Sequence, residues 1–141
     1  MKITIVSIGK WKNSPEAKIF AEYQKRMKWK IELIEVDEKN AANILDYVPE
    51  KSYRVVLDEK GKHLTSRELA NQIDRLQSNG NSHISILIGA AGGHNIDTLE
   101  NADLLLSLGK MTWPHMLVRA MLAEQLYRAF SILSGHPYHR D

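Results

Sequence analysis

His83-Ile-Ser-Ile-Leu-Ile-Gly-Ala-Ala-Gly-Gly93 is the stretch whose reading decides the fold. His83 to Ile88 is an apolar run too short for a buried helix, and it suits a strand covered on both faces. It runs straight into a glycine-rich loop, Gly89 to Gly93. In open parallel sheets ligands bind beyond the carboxyl ends of the strands, so a strand delivering such a loop is a ligand-facing element.

Upstream, Thr65 and Glu68 have capping-box spacing before a helix that carries Leu69, Ile73 and Leu76 on one side and stops at Asn79-Gly80. Tyr53 to Leu57 reads as a strand closed by the polar, turn-like Asp58-Glu-Lys-Gly61. Ile31 to Val36 alternates as another strand, and Asn43 to Tyr47 is long enough for a short helix. The chain opens with a buried strand over 2–9 that ends at Gly9. Ser14-Pro15 then caps a helix running to about Lys28. Downstream, Leu104 to Leu108 is a fifth strand, and a long helix opens at Pro114 and stops at Gly135 with Pro137 beyond. Strands alternating with helices predict an α/β fold, a single domain over 1–141 with a mostly parallel sheet flanked by helices.

The length of 141 residues, with 43% hydrophobic and 26% charged, allows one well-buried core. There is no cysteine, which removes disulfides, thiolate metal sites and a cysteine nucleophile and predicts a cytoplasmic address. No apolar run is long enough for a membrane span. The net charge is only +2, but Lys10, Lys12, Lys18, Lys25, Arg26, Lys28 and Lys30 stand against Glu16 and Glu22 alone, a basic stretch suited either to a polyanion or to a solvated helix face. The last helix is apolar over more than one face (Leu117, Val118, Met121, Leu122, Leu126, Phe130). That pattern fits a central core helix or one shared with a second subunit, and it predicts a two-fold homodimer.

The glycine loop matches neither the dinucleotide fingerprint nor a nucleoside-triphosphate loop, which disfavours a nicotinamide oxidoreductase. Alone, Gly89 to Gly93 reads as a tight turn or a cofactor loop; a second glycine-bearing loop, Leu108-Gly-Lys-Met-Thr-Trp113, leads into Pro114 and favours a pocket for a flat, adenosine-like group. Asp58 at a strand end is as plausible a turn residue as a ligand. The tail His136-Pro-Tyr-His-Arg-Asp141, with His115 and Arg119 on the preceding helix, supplies groups that stack on bases, bind phosphates and move protons. His136 and His139 lack a carboxylate pair or cysteine to complete a zinc set, so no metal is expected.

The ending WPHMLVRAMLAEQLYRAFSILSGHPYHRD (113–141), with ILIGAAGG (86–93), VVLDEKGK (55–62) and the opening KITIVSIGKW, resembles the RlmH family of SPOUT-class methyltransferases. The resemblance spans nearly the whole chain. It implies S-adenosylmethionine as cofactor, N3 of a pseudouridine in large-subunit (23S) ribosomal RNA as the acceptor, and a C-terminal trefoil knot that no sequence pattern displays. Cofactor contacts are implied at Leu57, Gly89, Leu108, Gly109, Lys110, Met111, Thr112 and Trp113. Tyr138, His139 and Arg140 are expected at the catalytic centre, and His115, Arg119 and His136 at the RNA. The loop departs from the family pattern at Ala90, where a glycine is usual, and at Gly92, where an acidic or aromatic residue is usual. The small chain, with no separate RNA-binding domain, predicts the assembled ribosome as substrate; the rival reading is a non-catalytic RNA-binding module of ribosome assembly.

Overall fold

Five strands, β1 (Lys2–Ile8), β2 (Lys30–Val36), β3 (Tyr53–His63), β4 (His83–Ile88) and β5 (Leu104–Ser107), lie side by side in the order β2-β1-β4-β3-β5. Every neighbouring pair is parallel. The helices are α1 (Pro15–Arg26), α2 (Ser66–Ser78), α3 (Ile96–Glu100) and α4 (His115–Ser134), and a 3-10 segment, Glu38–Tyr47, joins β2 to β3. This computed structural model describes residues 1–141.

Alternate sheet residues feed two apolar clusters. Ile3, Ile5, Val55, Ile84, Ile86 and Leu106 pack against α1, α2 and α4. Val6, Ile8, Val36, Val56 and Leu87 face the 3-10 segment and Leu99 of α3. Burial on both faces explains why β4 reads as an unbroken apolar run. Local chemistry fixes the helix ends. Ser14 Oγ accepts the Ala17 N–H (3.2 Å) ahead of Pro15, and Thr65 and Glu68 form a reciprocal capping box (3.0 and 2.9 Å). Gly135 ends α4 in the left-handed region at φ 75°, where the His136 N–H reaches the Ser131 carbonyl at 2.9 Å.

Three elements differ from the sequence reading. β3 does not close at Asp58–Gly61: it shifts register and resumes, so that both Leu57 and Lys62 pair with Leu106. Gly61 makes this possible, because a Cβ there would lie 2.7 Å from backbone atoms of Leu105 and Leu106. The helical stretch before β3 begins at Glu38, capped by Asp37, and is 3-10 in geometry. A one-turn helix, α3, follows the glycine loop, with the Asn95 side chain accepting the Thr98 N–H at 2.9 Å.

α4 lies between α1 and α2 over the sheet, which accounts for most of its all-round apolarity: Ala120, Leu122, Ala123, Leu126, Tyr127 and Ala129 are buried within the single chain. β3 returns through α2 to the neighbouring β4, whereas β4 leaves through α3 on the opposite face to the edge strand β5. These outgoing connections run in opposite directions, and the crevice outside their carboxyl ends is where open α/β sheets bind ligands.

Candidate active site

Three loops border that crevice: Leu57 and its successors after β3, Gly89–Gly93 after β4, and Leu108–Trp113 after β5. They come from three adjacent strands. Leu57 and Gly89 are half-buried. At Gly89 a Cβ would come within 3.1 Å of the Gly93 carbonyl carbon and 3.2 Å of the His94 ring, so the loop folds back onto its own start. His94 lies beneath it, its Nε2 3.3 Å from the Leu87 carbonyl, and burial holds its pKa below the ordinary value. Gly109 adopts φ 113° with open space around it, and the Ser107 hydroxyl bridges its N–H and carbonyl at 3.1 and 3.0 Å. Lys110, Met111 and Thr112 are exposed, and Met111 is 74% accessible. Trp113 is 39% accessible and donates its indole N–H to the Leu108 carbonyl at 3.2 Å. Bare glycine loops beside exposed apolar side chains fit a flat, amphipathic ligand.

At the neighbouring β1 end the site is closed. Arg119 is 0% exposed, donating Nε to Ser7 Oγ (2.9 Å), Nη1 to Glu35 (2.7 Å) and Nη2 to the Ile8 and Gly9 carbonyls (3.2 and 2.7 Å). The Trp11 ring covers the guanidinium at 4.7 Å, and Glu35 also accepts the Trp11 N–H at 2.8 Å. The sequence reading expected Arg119 at the RNA; in this structure its side chain is buried and every hydrogen bond it makes is internal, fastening α4 to β1. His115 is half-buried and its Nε2 hydrogen-bonds the Ile8 carbonyl, so it too faces the sheet.

The tail folds back along α4. Tyr138 packs edge-on against Tyr127 (centroids 4.7 Å apart), donates its hydroxyl to Glu124 Oε1 (2.9 Å) and lies 3.3 Å from the Tyr23 hydroxyl. Burial first, then these hydrogen bonds, raises its pKa, so the phenol stays protonated at neutral pH and serves as a donor, not a base. Arg128 lies over the Tyr138 ring at 4.9 Å, pairs with Glu124 and donates to His139 Nδ1 at 3.1 Å. Nδ1 must accept, which places the His139 proton on Nε2, 2.9 Å from Asp141. Arg67 of α2 grips Asp141 through Nη2 at 2.9 Å. His136 and Arg140 are exposed.

A cavity of about 540 Å³ connects these parts. Leu108 and Gly109 lie in one wall, Leu117, Met121, Glu124 and Gln125 of α4 in another, and Ile19, Tyr23, His63, Thr65 and Ser66 are among the other residues that line it. Tyr138 is thus tied, through Glu124, to the space beside the β5 loop. Glu124, Gln125, Arg128, Tyr23 and Arg67 were not singled out from the sequence. The first three sit inside the PHMLVRAMLAEQLYRA motif, whose polar residues were the available signal. No group of three His, Asp or Glu side chains is arranged to hold a metal ion, and no helix is long and apolar enough to cross a membrane.

Comparison with known proteins gives one answer. The family described as predicted SPOUT methyltransferase matches residues 1–139. A protein of Erythrobacter litoralis named ribosomal RNA large subunit methyltransferase H is 46% identical over 140 residues, 99% of each chain. One of the same name from Zymomonas mobilis is 45% identical over 141 residues, covering 100% of this chain and 99% of its own. A solved structure described as a probable methylase family protein from Haemophilus influenzae superposes with a TM-score of 0.60 at 16% identity, covering 94% of this chain and 66% of that one, which supports the fold. The chain therefore belongs to the SPOUT methyltransferase family, among the relatives named ribosomal RNA large subunit methyltransferase H.

Proposed function

We propose that this protein methylates N3 of a pseudouridine in large-subunit (23S) ribosomal RNA, drawing the methyl group from S-adenosylmethionine and acting on the assembled ribosome as a cytoplasmic homodimer. The observation that carries the reading is the junction of the β5 loop, the α4 cavity and the folded tail, seen in a chain nearly half identical to relatives of that name. Family membership also supports the trefoil knot as part of the same reading.

When bound, the cofactor supplies a methyl group on a positively charged sulfur, and its transfer is an in-line displacement in which positioning supplies much of the acceleration. Leu57, Gly89 and Leu108–Trp113 would hold it; Gly89 and Gly109 leave the backbone bare for close approach. The N3 proton leaves to solvent, and the positive charge of Arg140 eases that loss by stabilising the anionic base until the methyl group is transferred. His139, which contacts Arg128 and Asp141, and the exposed His136 hold the nucleotide in this reading. Lys10, Lys12, Lys18, Lys25, Arg26, Lys28 and Lys30 are all exposed, and this basic face meets the phosphates. Ile19, 44% exposed on α1, with the half-buried Leu117 and Met121 of α4, supports a second copy covering this side.

The test is transfer of labelled methyl to ribosomes from cells lacking the enzyme, with the product mapped by mass spectrometry. Label on one pseudouridine of the large-subunit RNA is expected, together with at least a 100-fold loss for Arg140→Ala. Ribosome binding without methyl transfer would establish the non-catalytic module instead.

A further inference from the structure

The glycine loop carries a histidine that no step above uses. His94 is half-buried under Gly89–Gly93, and its Nε2 lies 3.3 Å from the Leu87 carbonyl. A carbonyl only accepts, so Nε2 carries the proton and Nδ1 is the unprotonated nitrogen of the neutral ring. Nδ1 has no partner in the chain. That nitrogen and the adjoining Cε1 stand 3.2 Å from where a Cβ would project at Gly89, so the imidazole fills the space a side chain there would need. The backbone is pinned on both sides of the ring. Before it, the Gly93 N–H bonds the Ala90 carbonyl at 2.8 Å. After it, the Asn95 side chain accepts the Thr98 N–H at 2.9 Å and donates to the Ala42 carbonyl of the 3-10 segment at 3.0 Å. The ring thus spans from the end of the loop to the end of β4, and the shape of the turn depends on it.

We propose that His94 is a positioning residue of the cofactor site: as a neutral imidazole it braces Gly89–Gly93 in the shape that receives S-adenosylmethionine, and protonation of the ring opposes that binding. The inference rests on the function proposed above and adds the residue that sets the loop. S-adenosylmethionine carries a sulfonium and an ammonium against one carboxylate, a net positive charge near neutrality. On the loop it would bring that charge toward the ring and cover residues 91–93, which are otherwise exposed. Both effects disfavour an imidazolium. A protonated Nδ1 would also set a second N–H against Gly89, where the chain offers no acceptor. Few charges surround the ring. β4 and the loop offer no titratable side chain there, the 3-10 segment meets the loop through the Ala42 carbonyl, and Asp58 at the end of β3 is the charged group that acts on it. Burial holds the pKa of His94 below its ordinary value, outweighing the Leu87 hydrogen bond and Asp58, which both favour the cation. Binding and protonation are reciprocal: a ligand that drives the proton off the ring is itself weakened when the ring is protonated.

The test is calorimetric titration of the whole protein with S-adenosylmethionine from pH 7 to pH 5, with no RNA present. Wild-type affinity should hold at the upper end and then fall as the ring protonates, approaching about tenfold per pH unit, the limit for one linked proton. His94→Gln keeps an N–H for the Leu87 carbonyl but cannot titrate. It should bind within about threefold of the wild type at pH 7 and lose the acid dependence. His94→Ala removes the brace and should bind about tenfold more weakly at pH 7, again without the acid dependence. Independently of any variant's folding, nuclear magnetic resonance of the wild-type His94 ring should show it protonating at lower pH in the cofactor-saturated protein than in the free one. An acid dependence unchanged in His94→Gln would overturn the assignment. So would a ring whose titration the cofactor leaves unmoved, or an alanine variant that binds as the wild type does. A wild type with no affinity for S-adenosylmethionine at any pH would instead sink the function on which the inference rests.

Discussion

Arg119 and Arg128 both lie on α4 and both meet a glutamate, yet the two pairs do opposite work. Arg119 is 0% and Glu35 27% exposed, and the guanidinium is enclosed by two carbonyls, a hydroxyl and an indole face. Arg128 and Glu124 are 24% and 20% exposed, and their remaining partners are Gln125 and the tail residues Tyr138 and His139. The first pair joins helix to sheet and has no capacity left over. The second orients groups beside a cavity and retains an oxygen with room for one more donor. A charged pair thus becomes a fastening or a site according to how many of its lone pairs and protons the fold consumes.

The largest test of that contrast is stability. Arg119→Met strands Glu35 and the Gly9 carbonyl, and it should cost about 3 kcal/mol or more in urea unfolding, as for a buried pair deprived of one partner. Arg128→Met should cost about 1 kcal/mol or less, as for an accessible pair. Equal costs would break the comparison. Tyr138→Phe sharpens it from the other side: loss of one hydroxyl donor should change stability by less than about 1 kcal/mol, while methyl transfer to ribosomes falls about tenfold as the tail loses its hold on Glu124. The smallest effect is on dynamics. At about 1 M salt the screening length is roughly 3 Å. Amide hydrogen exchange should then quicken over 136–141, where Arg67 and Asp141 are 51% and 72% exposed, and stay unchanged at Gly9.

The same tail gives a pH prediction. Arg67 first, then His139, lowers the Asp141 carboxyl pKa below its ordinary 3.8. A depressed carboxyl contributes above its unfolded value and loses that contribution as pH falls through the folded one. Tail protection measured by proteolysis should therefore be flat from pH 8 to 5 and decline only in stronger acid. A decline already under way at pH 6 would break the assignment to the Asp141 carboxylate.

Periodicity and capping residues made most of the fold legible. Ser14-Pro15, the Thr65/Glu68 box and Gly135 each end a helix where expected, and β4 announces itself by unbroken apolarity. What escaped depends on partners distant in the chain. Asp58–Gly61 has the composition of a turn, and only the backbone of β5 against Gly61 shows why the strand resumes. α3 is too short for a periodic signal, although Asn95 was a usable cap. The loops of the candidate site were visible as glycines at strand ends. The burial of Arg119 was not, because Ser7 and Glu35 lie far from it in sequence. Glu124 and Gln125 on α4 were hidden by their neighbours, since a glutamate and a glutamine on a helix usually face solvent.

The left-handed turn at Gly135 has a consequence for the energetics of encounter. By sending the chain back along α4, it lets Tyr138 and His139 settle against the helix during folding. Fixing one residue of a free tail costs roughly 1–2 kcal/mol of conformational entropy. A tail already ordered in the unbound protein incurs that cost before any RNA is present. Under the proposed function, the contacts such a tail makes with RNA are then expressed as affinity and orientation, with little diverted to immobilising the groups that make them.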